Sequence, residues 1–327
     1  MTLPTVRVVV LGGTITMAPS SEGITPKLTG DDLLKLLPDI DQVANVVVET
    51  PFLKPGASIE PEEVIDLARG IQTQGANGIA GTVVVQGTDT IDETSYMLDI
   101  LCDTPEPVIV TGAMRGAAAL SADGPANLMA AIRTAADPAA RSHGAMVILN
   151  DEIHAARSVE KSHKALLSSF ESLQGGPIGY VFENKVEMIR QPATRNAHLT
   201  PTRFGKVAMI KAGLGSHTDL IDALPSLGYE GAVIEATGVG HLPAKFVEPL
   251  EKLSKQMPVV LCSRVNKGPV FTNTYGFPGS EIDLLKRGLL RGHWLSAHKA
   301  RLLLGCLIGA NVPRDQLADQ LALYGQA

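Results

Sequence analysis

Aromatic side chains are scarce in this 327-residue chain: they make up 4% of it, against 45% hydrophobic residues overall. Without rings to fill it, the core has to be built from valine, isoleucine, leucine and alanine, which suits strands buried on both faces of a parallel sheet. Cysteine is scarcer still. Cys102, Cys262 and Cys306 are widely spaced and form neither a Cys-x-x-Cys pair nor a Cys/His metal pattern. Reduced structural thiols are therefore expected, not a disulfide framework or a zinc site. The net charge is −6 and no basic run interrupts it, which argues against nucleic acid and anionic membrane as partners. No stretch is long and apolar enough to span a bilayer. The chain already reads as strand by Val6, with no charged leader before an apolar segment, so a cytoplasmic location is expected.

What is present is alternation. Short apolar runs at Arg7–Leu11, Val46–Thr50, Thr82–Val85, Pro107–Val110 and Ala145–Leu149 read as strands. Between them, helix-period segments fall near Asp31–Leu37, with Thr29 as N-cap and Pro38 as stop, and at Pro61–Gln72, Ile91–Leu101 and Pro125–Ala136. Strands alternating with helices make βαβ units and a parallel sheet. Residues 191–205 are polar, with Pro192, Pro201 and Gly205, and read as a linker. Alternation resumes with strands at Lys206–Lys211, Ala232–Glu235 and Pro258–Cys262, and helices at Asp219–Leu224, Lys245–Lys255 and Ala297–Ile308. The expectation is two α/β domains: a larger one over 1–190 that carries the site, and a smaller one over 206–327.

Two stretches echo each other: VVVLGGTITM from Val8 and VVVQGTDTID from Val83. In open parallel sheets, sites form just beyond the carboxyl ends of strands. That rule selects Gly12-Gly13-Thr14, Gln86-Gly87-Thr88-Asp89-Thr90, Thr111 to Arg115, and Asn150-Asp151-Glu152 followed by Arg157 and Lys161. Each has a bland alternative. Gly-Gly-Thr is often only a capped turn, and Asp89 or Thr90 can cap the next helix. Lys161 in SVEKSHK reads most simply as a solvated helix lysine, and Arg115 as a partner for a carboxylate. His143, His163 and His217 are scattered without metal spacing. No Gly-x-Gly-x-x-Gly follows the first strand, so a dinucleotide site is poorly supported. Together, however, two threonines, an aspartate and a lysine would meet at one sheet edge. A threonine hydroxyl is a weak nucleophile until a base takes its proton, and an acid can orient that base.

LGGTI, GTDT followed by ETSYML, SADGPANL, VEKSHK followed by GPIGY, and KARLLL occur in an order that resembles the bacterial-type L-asparaginases from about Val8 to Leu304. The resemblance implies a larger parallel-sheet domain with a smaller flavodoxin-like α/β domain, and hydrolysis of the side-chain amide of L-asparagine through a threonine acyl-enzyme. It implies Thr14 as the nucleophile, with Thr88, Asp89 and Lys161 as a second triad-like group. It further implies Gly13, Ser58, Gly87, Thr88 and Asp89 against the substrate, and Glu281 as the glutamate that a neighbouring subunit donates. No metal or organic cofactor is implied, and a homo-oligomer, dimer or tetramer, is. Three departures stand out. The loop after GGT, MAPSSEGITPKL, holds no tyrosine where the family usually has one, with Ile24 or Thr25 nearest the place. The usual HGTDT reads QGTDT through Gln86, and His241 stands near the place of a family asparagine. L-glutamine as a further substrate, an ammonia-producing amidotransferase subunit, and a non-catalytic amino-acid sensor are the competing readings.

Overall fold

The structure is a computed structural model that describes residues 2–20, 23–26, 30–74, 77–191 and 198–326, without the side chains of 17–20, 23–26 and 74. The expected cap Thr29 and much of the expected linker (192–197) lie outside the described residues. The chain divides into two compact units, 1–198 and 199–327.

Unit 1 is built on an eight-stranded sheet. The strands of its parallel half are β1 (Thr5–Val10), β4 (Asn45–Glu49), β5 (Ile79–Val85), β6 (Val108–Thr111) and β7 (Ala145–Leu149). Strands β2 (Met17–Ser20) and β3 (Gly23–Pro26) form a separate antiparallel hairpin just after β1. Beyond β7 the sheet turns antiparallel through β8 (Glu152–Ala155), β11 (Gly179–Phe182) and β12 (Lys185–Met188). A two-stranded ribbon, β9 (Val159–Lys161) with β10 (Phe170–Ser172), stands between them in sequence. Helices α1 (Gly30–Leu34), α2 (Pro61–Gln74), α3 (Ile91–Leu101) and α4 (Gly124–Ala136) fill the connections.

The buried valines explain why the centre of the sheet is parallel. Val8, Val10, Val83 and Val85 point into a cluster with Leu128, Ala131 and Ile132 of α4. Their neighbours Val9 and Val84 are equally buried and, by strand alternation, face the opposite side, where α3 packs on β6 and β7. Strands covered on both faces have to be apolar throughout. The order β12-β11-β8-β7-β6-β5-β1-β4 puts β1 between β4 and β5. The chain leaves β1 for one edge and returns on its other side at β5, which makes the carboxyl ends of β1 and β5 a topological switch point. Register brings those ends level: Val10 pairs with Val85, and Val85 with Thr111.

Unit 2 is a four-stranded sheet in the order β13 (Val207–Lys211), β14 (Gly231–Ala236), β15 (Val259–Ser263) and β16 (Leu290–Arg291), all parallel. One face is covered by α5 (Asp219–Ala223) and α6 (Val247–Gln256), whose Ile221, Leu250 and Leu253 join the core. Helix α7 (Glu281–Lys286) precedes β16, and α8 (Ala297–Gly309) and α9 (Leu317–Tyr324) complete the unit. Cys102, Cys262 and Cys306 are free and buried, as their spacing suggested.

Candidate functional site

Three glycines from three loops meet at the switch point of unit 1. A Cβ on Gly13 would overlap the backbone nitrogen and Cα of Gly87, and one on Gly56 would come within 2.7 Å of the Gly87 carbonyl oxygen. Gly13 also sits at φ +88°, a region that side chains strain against. These contacts leave no room for any residue but glycine, and they draw the loops after β1, β4 and β5 together backbone to backbone. Leu11 N–H donates to Val85 O at 2.8 Å, and Lys54 N–H to Leu11 O at 2.8 Å, extending the alignment past the strands.

On this frame, Thr14 opens a 3-10 turn and is half-buried, while Thr16 Oγ1 closes the turn onto Gly13 O at 2.8 Å. Ser58 ends a similar turn at Gly56–Ser58 and is exposed. Thr88, Asp89 and Thr90 form the turn that leads into α3. Thr88 is buried, whereas the side chain of Asp89 is 68% exposed, open to a ligand. Lys161 arrives from β9. Its Nζ lies 2.9 Å from Thr88 Oγ1 and 2.8 Å from Asp89 Oδ1, and only 17% of its side chain is exposed.

Lys161 is not a solvated helix residue: it stands on a strand, paired with Phe170, with its ammonium directed at two oxygens from residues more than seventy positions away. Neither Asp89 nor Thr90 caps α3 with its side chain. The Thr90 hydroxyl instead donates to Gly56 O at 2.9 Å and accepts from Gln86 Nε2 at 3.2 Å, a further tie between the loops. Gln86, in place of the family histidine, is fully buried beneath them. Arg115 meets a carboxylate, but through its backbone N–H, which donates to Asp123 Oδ1 at 2.8 Å.

Asp123 and Asn127, both in the SADGPANL stretch, were not singled out from sequence, yet they brace this rim. Asp123 Oδ2 accepts from Met114 N–H at 2.9 Å. Asn127 Nδ2 donates to Gly112 O at 2.9 Å, and its Oδ1 accepts from Asn150 N–H at 3.0 Å, so one buried amide joins the loops after β6 and β7. The signal available was two polar residues at the start of an otherwise apolar, alanine-rich helix.

Glu281 belongs to unit 2, where it starts α7 and is fully buried. Its Oε1 accepts from Thr274 N–H at 3.0 Å and Tyr275 N–H at 2.8 Å, and its Oε2 lies 3.2 Å from His241 Nε2. Burial pushes this carboxyl up, but the N–H groups of Tyr275 and Thr274, with His241, outweigh it and hold the group below the usual carboxylate range. Within its own unit Glu281 is thus held by Thr274, Tyr275 and His241. The exposed members of its cluster are Tyr275 and Phe277, which pack edge-on to His241 at ring distances of 4.7 and 5.0 Å. Ile24 and Thr25 fall on β3, and their side chains are not among those described.

Residues 5–194 match the family model for the N-terminal domain of asparaginase, and residues 206–321 the model for the glutaminase/asparaginase C-terminal domain. The chain belongs to the asparaginase family. Membership places it among the amidohydrolases. It is 33% identical to a probable periplasmic L-asparaginase of Haemophilus influenzae, over 92% of this chain and 88% of that one. It is 32% identical to L-asparaginase 2 of Escherichia coli, over 93% and 88%, and 32% identical to the glutaminase-asparaginase of Pseudomonas fluorescens biotype A, over 92% and 85%. The crystal structure of a probable cytoplasmic L-asparaginase from Campylobacter jejuni superposes with a TM-score of 0.89, covering 98% of this chain and all of that one at 29% identity. No helix among the described residues is long and apolar enough to cross a membrane.

Proposed function

We propose that this asparaginase-family chain hydrolyses the side-chain amide of L-asparagine to L-aspartate and ammonia in two acyl-transfer steps. The observation that carries the proposal is the placement of Lys161 Nζ within 3 Å of both Thr88 Oγ1 and Asp89 Oδ1. Lysine, threonine and aspartate are thereby joined as base, hydroxyl and orienter. Thr14 is the nucleophile. It is half-buried, and its turn leans on the Thr88 turn through the Gly13–Gly87 contact. Thr14 Oγ forms a bond to the amide carbon, and its proton passes to the leaving nitrogen, which departs as ammonia. A water molecule then adds to the β-aspartyl ester. Thr14 leaves as the alcohol, taking a proton from that water, and aspartate is released. Backbone N–H groups of the Thr88 turn, at a helix start, are suited to the oxyanion that forms in each step.

A zwitterionic substrate needs an anionic and a polar anchor. The exposed carboxylate of Asp89 serves its ammonium, and Ser58, with the Gly13 and Gly87 backbone nearby, serves its α-carboxylate. Glu281 keeps its expected place as a neighbouring subunit's contribution on the ammonium side, since its Oε2, with one contact to His241, has acceptor capacity left. The working form is a homo-oligomer acting in the cytoplasm on L-asparagine, with L-glutamine as the alternative substrate. The test is ammonia release from both amino acids by the parent chain, Thr14→Ala and Thr88→Ala. An active parent with both variants depressed by several orders of magnitude supports the two-threonine site. An inert parent that still binds asparagine sinks it.

A further inference from the structure

Helix α3 starts where the Thr88–Thr90 turn ends, so Thr88 and Asp89 are carried on its N-terminal end. The same helix buries two acids, Asp92 and Asp99, at 7% and 5% exposure. Seven residues is close to two turns, so both project from one face. Both reach the same stretch of chain. Asp92 Oδ2 accepts from the Lys161 backbone N–H at 3.2 Å, while its Oδ1 accepts from Glu93 N–H at 3.2 Å. Asp99 Oδ2 lies 3.7 Å from Arg157 Nη2, and Asp99 Oδ1 accepts from Ala145 N–H, at the start of β7, at 3.1 Å. The segment from Arg157 to Lys161 is thus pinned at both ends to the helix that also delivers Thr88 and Asp89. From the other side, β10 pairs with it, and Ser162 N–H donates to Ser169 O at 2.7 Å.

We propose that Asp92 is a positioning residue for the amide hydrolysis: it holds the backbone of Lys161 so that the ammonium falls between Thr88 and Asp89. The inference rests on the amidohydrolase reading of that triad. A lysine side chain has four flexible carbons and considerable rotamer entropy, so its far end is placed only as well as its backbone is. A first-turn acid serving only the helix dipole has no reason to be buried, because the dipole is satisfied equally well from the surface. Burying a carboxylate is costly unless hydrogen bonds offset it, and here one of those bonds is spent on the residue whose placement the chemistry needs. A displacement of about 1 Å in a catalytic group costs on the order of 100-fold in rate.

The experiment compares the parent with Asp92→Ala, Asp92→Ser and Asp92→Asn, by kcat and KM for L-asparagine and by crystal structures of the folded variants. Asparagine keeps an acceptor oxygen for the Lys161 N–H; serine is too short to supply one. Asp92→Ala and Asp92→Ser should lower kcat about 10- to 100-fold with KM changed less than about 3-fold, while Asp92→Asn recovers most of the loss. In the alanine or serine structure, Lys161 Nζ should move out of hydrogen-bond reach of Thr88 or Asp89. Equal losses in asparagine and alanine variants, unchanged kcat, or an undisturbed lysine would each overturn the proposal. If the parent releases no ammonia, the amidohydrolase reading fails on its own, and the variant structures still decide whether Asp92 places the lysine.

Discussion

Gly13 and Gly87 touch so closely that a side chain on the first would occupy the backbone of the second. Neither loop can move independently of the other, and the two threonines that follow these glycines share one foundation. Gly13→Ala should therefore do two things at once. Added to the strain at φ +88°, the overlap should cost more than about 2 kcal/mol in urea unfolding and abolish ammonia release in whatever protein still folds. A variant that keeps both stability and activity would mean the loops can separate freely.

Lys161→Met removes the only described side chain that bonds the Thr88 hydroxyl while keeping much of its volume. We expect kcat for L-asparagine to fall roughly 1000-fold or more, with KM within about 5-fold of the parent. Asp89→Ala should show the complementary pattern, raising KM as well, because its exposed carboxylate is the proposed anchor for the substrate's ammonium. Steady-state kinetics on the two variants distinguishes these roles.

His154 gives unit 1 a pH dependence of its own. Its ring is 1% exposed, its Nδ1 lies 2.9 Å from Ser172 Oγ, and burial pushes its pKa down to about 4 against the opposing charge of Glu171. A histidine depressed in the fold is protonated preferentially when unfolded. Its contribution is therefore complete above the unfolded value of 6.5 and is lost as pH falls from there toward 4. The loss at pH 5 relative to neutral should be about 2 kcal/mol. Urea midpoints at the two pH values should converge for His154→Gln; an equal drop in parent and variant would assign the effect to other groups.

Glu281 organises the Thr274–Phe277 loop of unit 2 rather than standing free. Glu281→Ala leaves two backbone N–H groups without their acceptor and should destabilise the chain by about 2–4 kcal/mol. Because its carboxyl is held below the ordinary value of 4.5, the contribution is present above that pH and is lost as pH falls through the lower, folded value. Denaturant titrations at neutral pH and near pH 4 test the size and the sign. Limited proteolysis at Tyr275 and Phe277, resisted by the parent and rapid in the variant, tests the loop.

Burial pushes the Cys102 thiol up to about 12, and burial also raises that of Cys262. Neither presents a thiolate at neutral pH, so a thiol reagent should label the native chain slowly and the urea-unfolded chain at once. Fast labelling of folded protein would contradict the packing of these two residues.

The parallel centre of the sheet was legible because burial on both faces writes itself into the sequence as valine runs. Helix α3 begins and ends where its periodicity indicated, at Ile91 and Leu101. The antiparallel end was illegible for the opposite reason. Strands such as β12, KVEM, are short and half-exposed, so they carry little hydrophobic pattern. SVEKSHK looked helical because local propensity favours a helix; pairing with β10 and the bonds from α3 override it. The site threonines, Asp89 and Lys161 were reachable from strand-end position and family likeness. Asp92 was not, because a residue that works through someone else's backbone N–H leaves no mark in its own spacing; Asp123 and Asn127 lie inside the SADGPANL likeness, but spacing assigned them no role.

The glycine junction has one more implication. The Thr14 loop is registered on the Thr88 loop by main-chain contacts, to which the side chains of Thr16 and Thr90 add. An exposed position such as Ser58 can be exchanged, and the appetite of the site for one amide or another retuned, without disturbing the glycine junction on which Thr14 stands. Accuracy resides in atoms that every amino acid shares, and preference in those by which amino acids differ.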